Sequence, residues 1–283
     1  MAIITISRGC FSHGKEIAEQ VAKTLKYECL SQEFLMEASE FFSVPEKKLM
    51  ESIHDAPGML ERITHAREKF LSQIQAALLE HVKKDNVIYH GYGGHILIPE
   101  VAHVLKVRVI AKMEDRIAFL QDKKRMSRDE AINFLEKEDK HRADWNHYFF
   151  KRDMSDPQLY DVVVNIGRLR LQDACEIICT AARSKSYRTT ASSKKEINNL
   201  ALSSHVKAVL QDICDAEVTA NNGNIHIVVG GQKLRKTGIT SPKTQAYIKE
   251  QIREDLTKEI NEAVGEIPGV KEVVCDIDLP YYS

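Results

Sequence analysis

Ile3-Ile4-Thr5-Ile6-Ser7-Arg8-Gly9-Cys10-Phe11-Ser12-His13-Gly14-Lys15-Glu16-Ile17-Ala18 is the stretch on which the fold turns. Ile3 to Ile6 is a short β-rich apolar run. Gly14 to Leu25 brings Ile17, Val21 and Leu25 onto one face of a helix. Between them, Gly9 to Lys15 fits G-x-x-x-x-G-K, and its place between a strand and a helix gives the match structural context. Such a loop turns backbone N–H groups inward, the helix N-terminus adds positive potential, and a lysine ammonium meets phosphate oxygens. A plain βα turn followed by a lysine is the alternative reading. The Ser or Thr that would hold Mg²⁺ after the lysine is absent, since Glu16 and then Ile17 follow.

Working outward, short apolar runs alternate with helical patterns. Strands are expected at Asn86-Val87-Ile88-Tyr89, within Val104 to Lys112, and at Asp161-Val162-Val163-Val164-Asn165. Helices are expected over about 31–54, 59–84, 114–124, 127–143 and 171–183. This order implies an α/β fold with a parallel sheet covered by helices on both faces. Residues 184–204, rich in Ser, Thr and Lys at their start, read as a linker between a domain at 1–183 and one at 205–283. The second domain reads α-β-β-α-β: a helix over His205 to Cys214, two strands flanking the hairpin turn Asn221-Asn222-Gly223, a long helix at about 242–264, and a strand from Val270 to Ile277. That makes it a small α+β unit.

The 283 residues carry 40 Lys and Arg against 41 Asp and Glu, a net charge of -1, which argues against a general nucleic-acid or polybasic membrane binder. No apolar run reaches the length of a transmembrane helix, and the opening lacks the basic segment of a secretory signal. The six cysteines form no C-x-x-C pair, so reduced thiols in the cytoplasm are expected. Cys175 and Cys179, at i, i+4 on a helix, read as core packing.

Ile6-Ser7-Arg8, with Gly14-Lys15-Glu16-Ile17-Ala18 after the loop, resembles the opening of the cytidylate-kinase-like family, whose loop tends to read ISRxxGSGGREIA. The resemblance runs over most of residues 1–183. It implies a P-loop nucleoside monophosphate kinase fold that uses ATP and Mg²⁺, with Gly9, Ser12, His13, Gly14, Lys15 and Glu16 around the phosphates. Phe11 and His13 stand where the family tends to have glycines, and their bulk is expected to crowd the cradle. Val87-Ile88-Tyr89-His90-Gly91-Tyr92-Gly93-Gly94 is similar to the second-strand motif that carries GRG, which places Gly91, Tyr92 and Gly93 on the acceptor side; Tyr92 replaces the family's Arg. Arg116, Arg125 and Arg128 fall at or before the lid, where they imply phosphate contacts. Ser127 and Glu130 fit a capping box at the lid's start. Asp139 and Arg142 match the family's D-x-x-R, so the resemblance implies catalytic roles for Lys15, Arg125, Asp139 and Arg142. A surface ion pair between Asp139 and Arg142, a solvated charged face at 123–130 and a strand-end role for Asp161 are the alternatives. The metal ligand is left unassigned.

Residues 205–279 resemble a BON domain, through Val218 to Gly231 and Ile267 to Val274. The resemblance implies a protein or membrane-surface partner for this module; an oligomer is compatible with it and no nucleic acid is expected. Phosphoryl transfer needs positioning and charge neutralisation, for which arginines suit. The chain thus reads as a kinase passing the γ-phosphoryl of ATP to a nucleoside monophosphate, CMP or dCMP by resemblance. A kinase fold without catalysis, sensing a nucleotide and acting through its C-terminal domain, is the alternative.

Overall fold

A computed structural model describes residues 2–31, 66–91, 93–231, 233–234 and 241–282. The helical pattern expected near 31–54 and the Tyr92 assignment lie outside these residues. The chain forms two compact units, residues 1–194 and 195–283.

In the first unit, strands β1 (Ile3–Arg8), β2 (Glu28–Leu30), β3 (Val87–His90), β4 (Val104–Ala111) and β5 (Val162–Ile166) form one parallel sheet in the order β2-β3-β1-β4-β5. β1 is central: Ile4 pairs with Ile88 on one side and Ile6 with Val107 on the other. All four residues of β3 are buried, which explains why its apolar run shows no alternation. Helices α1 (Gly14–Leu25) and α6 (Leu171–Ala182) cover one face through Ile17, Val21, Ala174 and Ile178. Cys175 and Cys179 lie in that core, as their spacing suggested. The remaining helices of this unit are α2 (Ala66–Val82), the single turn α3 (Gly94–Leu97), α4 (Met113–Lys124) and α5 (Arg128–Phe150). β2 was not anticipated, because three residues are too few to show a period.

Residues 184–204, expected as a linker, contain the boundary between the two units and are helical over much of their length. A turn of 3-10 helix covers Lys185–Tyr187, and helix α7 runs from Ala191 to Leu210. Thr190 and Ser193 cap it reciprocally: Ser193 N donates to Thr190 Oγ1 at 3.1 Å and Thr190 N donates to Ser193 Oγ at 3.0 Å. The Ser/Thr content that suggested a linker is helix-start chemistry.

The second unit contains β6 (Ala216–Asn221), β7 (Asn224–Val229), helix α8 (Pro242–Gly265) and β9 (Glu272–Ile277). β6 and β7 pair antiparallel and β9 joins β7 in parallel, giving a mixed three-stranded sheet. β8 (Lys233–Leu234) and β10 (Tyr281–Tyr282) add a separate two-residue pairing. Ile225, Ile227 and Val229 alternate inward to meet Val206, Leu210, Ile260 and Val264. Among the described residues, no helix is long and apolar enough to cross a membrane.

The β6–β7 turn needs a glycine. Gly223 has φ +94°, and a Cβ there would lie 2.7 Å from the Gly269 carbonyl oxygen. Gly223→Ala should therefore destabilise this unit by about 1–3 kcal/mol in urea unfolding. Gly230, where an added Cβ meets nothing within 4 Å, is the control. Equal midpoints for the two variants would contradict the placement.

Candidate functional site

The chain leaves β1 at Arg8 and enters α1 at Gly14 in only five residues. Two anchors hold the loop to the neighbouring strand. Gly9 N donates to the Val109 carbonyl at 3.1 Å. The buried Ser12 hydroxyl lies 2.9 Å from Gly9 O and 3.2 Å from Val109 O. Phe11 and His13 both adopt the left-handed conformation, with φ of +52° and +62°. That conformation costs an ordinary residue about 1–2 kcal/mol.

Packing offsets the strain. Phe11 joins the apolar cluster of Ile117, Leu120, Ala131 and Leu135 between α4 and α5, with its ring centroid 5.5 Å from that of Phe134. The Lys124 ammonium sits 4.9 Å from the Phe11 ring. His13 meets Phe119 edge-on at 4.8 Å. The expected crowding of the cradle is thus corrected: both side chains pack toward the helices that follow β4. Gly14 is the tight point, since a Cβ there would lie 2.6 Å from Arg8 Cβ.

A cleft of about 460 Å³ opens at the carboxyl ends of β1, β3 and β4. This is the position where strand order reverses in an open parallel sheet and where ligands bind. Gly9, Ser12, Gly91 and Gly93 lie along its wall. Among the described residues, five arginines line it, Arg8, Arg108, Arg116, Arg142 and Arg152, against two carboxylates, Asp139 and Asp153. Asp153 is occupied locally, accepting from Ser155 N at 2.8 Å and from Ser155 Oγ at 2.7 Å. Arg116 is buried, donates from Nε to the Cys10 carbonyl at 2.7 Å, and makes a two-point contact with Asp139 at 2.8 Å for each bond. Burial pushes the Cys10 thiol up, while the adjacent Arg142 opposes that shift. Arg108 donates to the Met154 carbonyl and to Tyr160 Oη, and its guanidinium lies 5.5 Å from the Tyr160 ring centroid.

The other expected site residues fall elsewhere. Lys15 is exposed on α1 with Nζ 3.7 Å from Glu19 Oε1, and Glu16 is exposed beside it. Neither lines the cleft. Arg125 is exposed at the end of α4. Arg128 makes a two-point pair with Glu114 at 2.8 Å on the surface. Ser127 and Glu130 form the capping box at the start of α5. Asp161 accepts from Lys106 N at 2.8 Å, a strand-end contact.

Arg8, Arg108, Arg152 and His95 were missed. For Arg108 a signal existed: a charged residue inside Val-Leu-Lys-Val-Arg-Val-Ile-Ala, a strand otherwise destined for the core. His95 lines the cleft, is 4% exposed and packs at 4.6 Å on the Tyr160 ring. Burial, reinforced by the charges of Lys106 and Arg108, pushes its imidazole down to about 3.

A parallel α/β fold with a basic cleft behind a strand–loop–helix turn defines a class of phosphate-handling proteins. Within that class, the model of the cytidylate kinase-like family matches residues 3–168, and the chain belongs to that family. Its fold is shared by a crystal structure of an uncharacterized protein from Eubacterium ventriosum, at TM-score 0.50 and 13% identity, over 65% of this chain and 100% of that one. Shikimate kinase from Bacteroides thetaiotaomicron aligns at TM-score 0.38 and 11% identity, over 65% and 99% of the two chains. The YorR protein of Bacillus subtilis, solved with phosphorylated GDP, aligns at 0.39 and 9%, over 67% and 100%. No curated protein matches the chain.

The His95 burial carries a pH signature. An unfolded imidazole takes its proton near 6.5, whereas the buried one does so only near 3. Between those values the unfolded chain binds the extra proton, so stability falls as pH drops through the window, by up to about 1.4 kcal/mol per unit. In urea unfolding between pH 4 and 6.5, His95→Phe should flatten that dependence. An unchanged slope would mean that His95 is protonated in the folded protein.

Proposed function

We propose that the protein binds ATP in the β1–α1 cleft and transfers its γ-phosphoryl group to a nucleoside monophosphate, CMP or dCMP in the first instance. The supporting observation is the convergence of Arg8, Arg108, Arg142 and Arg152 on the anchored loop between Gly9 and Gly14, in a member of the cytidylate kinase-like family. Guanidinium groups neutralise charge on the transferring group and hold it in line with the acceptor oxygen. The acceptor phosphate oxygen forms the new P–O bond as ADP leaves. Arg142, on the helix facing the loop, is the residue assigned to the transferring phosphoryl group. Arg8 assists at the strand end, and Gly91 and Gly93 form the wall assigned to the acceptor, where a Cβ would strike the Tyr89 and Phe150 side chains. Lys15, exposed on α1 beside Glu19, has a lesser part.

The described residues do not fit a metal held by the protein. No three His, Cys, Asp or Glu side chains among them converge, and both cleft carboxylates are engaged by neighbouring groups. No step runs through protein-bound Mg²⁺, and the nucleotide is supplied as its magnesium complex.

The test is turnover of MgATP with CMP, dCMP, UMP, AMP and GMP, resolving ADP and the new diphosphate by chromatography. Acceptor-dependent ADP is expected, reduced on the order of 10³-fold by Arg142→Ala, as for removal of an arginine that stabilises transferring charge. Lys15→Ala should cost less than tenfold. Turnover insensitive to Arg142→Ala would overturn the assignment. A second reading has one observation in its favour, the non-glycine loop keyed into α4 and α5: the fold holds a nucleotide without turnover, and the BON-like residues 205–283 engage a protein or membrane-surface partner. Nucleotide-dependent stabilisation without any turnover would select it.

A further inference from the structure

We propose that Arg116 is a positioning residue that locks the phosphate loop to helix α5 and thereby places Arg142, instead of binding phosphate itself. Its guanidinium has five N–H donors. Nε donates to the Cys10 carbonyl at 2.7 Å, and the two terminal nitrogens donate to the two oxygens of Asp139 at 2.8 Å each. The Arg116 and Asp139 charges neutralise one another, so the pair adds no net positive charge to the cleft. A buried guanidinium held by a carboxylate and a backbone carbonyl is fixed in place, unlike an arginine that swings onto a ligand.

The contact closes a circuit. Asp139 and Arg142 are three residues apart on α5, hence neighbours on one helix face. The Arg142 charge lies close enough to Cys10 to offset part of the rise that burial imposes on its thiol. The Cys10 carbonyl is thereby tied to α5 by way of Arg116 and Asp139, within one helical turn of Arg142. A loop residue tied to α5 in this way sets the distance between the loop and Arg142. Phe11, packed between α4 and α5 from the adjacent position, supports the same registration.

Two readouts separate this role from others, and only the second rests on the kinase reading. The first is hydrogen exchange in the ligand-free full chain. Asp139→Asn does not alter any group that touches the loop directly, yet it should accelerate amide exchange at residues 9–13 by tenfold or more. Arg116→Lys, which cannot reach both partners with a planar fork, should do the same. Lys137→Ala, an exposed change on the same helix, should not. Exchange altered only near residues 136–142, or not at all, in folded variants would overturn the coupling. The second is steady-state turnover. Arg116→Lys and Asp139→Asn should each lower kcat about 100-fold with KM for MgATP within threefold, and the double variant should be no worse than either. A rise in KM confined to Arg116→Lys would instead make Arg116 a phosphate ligand. If the wild-type protein turns over no monophosphate, the kinase reading fails while the exchange experiment still decides the coupling.

Discussion

Everything at the site depends on how the chain leaves β1. That strand is central and buried on both sides, so the polypeptide must turn out of the core within five residues and still satisfy its backbone polar groups. It does so with two left-handed residues, a serine hydroxyl set between two carbonyls, and an arginine that accepts the burden of the Cys10 carbonyl. Glycines would make the turn without strain. Phe11 and His13 make it with strain, and the compensation is contact with α4 and α5. The loop is therefore less an isolated cradle than one wall of a unit that includes both helices.

This arrangement sorts the basic residues by position. Charges at strand ends and on the helix face opposite the loop converge on the cleft. Those at the α4–α5 connection, Lys123, Arg125 and Arg128, remain at the surface, where ion pairs contribute little to stability. Arg116 belongs to neither group. It is buried and paired, with a reach that spans the loop and α5.

The alternating strands and helices of the first unit were legible because β1, β3, β4 and β5 are apolar runs long enough to be recognised, and the helices between them carry their own period. The β6–β7 hairpin was legible from Asn222-Gly223, whose backbone conformations the turn requires. Two features were not. β2 has three residues, too short for any pattern. Over 191–204, α7 buries Ser193, Ile197, Ala201 and Ser204, and serines on a buried stripe look like linker composition. Of the residues the motifs singled out, Asp139 and Arg142 line the cleft while Lys15, Arg125 and Arg128 do not, because spacing along a chain does not say which face of a helix meets it. Arg8 was legible only as part of the Ile6-Ser7-Arg8 match, without a role, and Arg152 fits no pattern; the fold brings both to the cleft.

The central claim is that the arginine cleft beside Gly9 to Gly14 is a nucleotide phosphate site. Isothermal titration of ATP into the full chain, repeated with pyrophosphate as competitor and with Arg142→Ala, tests it most directly. One nucleotide per chain, displaced by pyrophosphate and weakened by the substitution, is the expected result. No heat of binding in the wild-type protein, or binding that neither pyrophosphate nor Arg142→Ala affects, would contradict it.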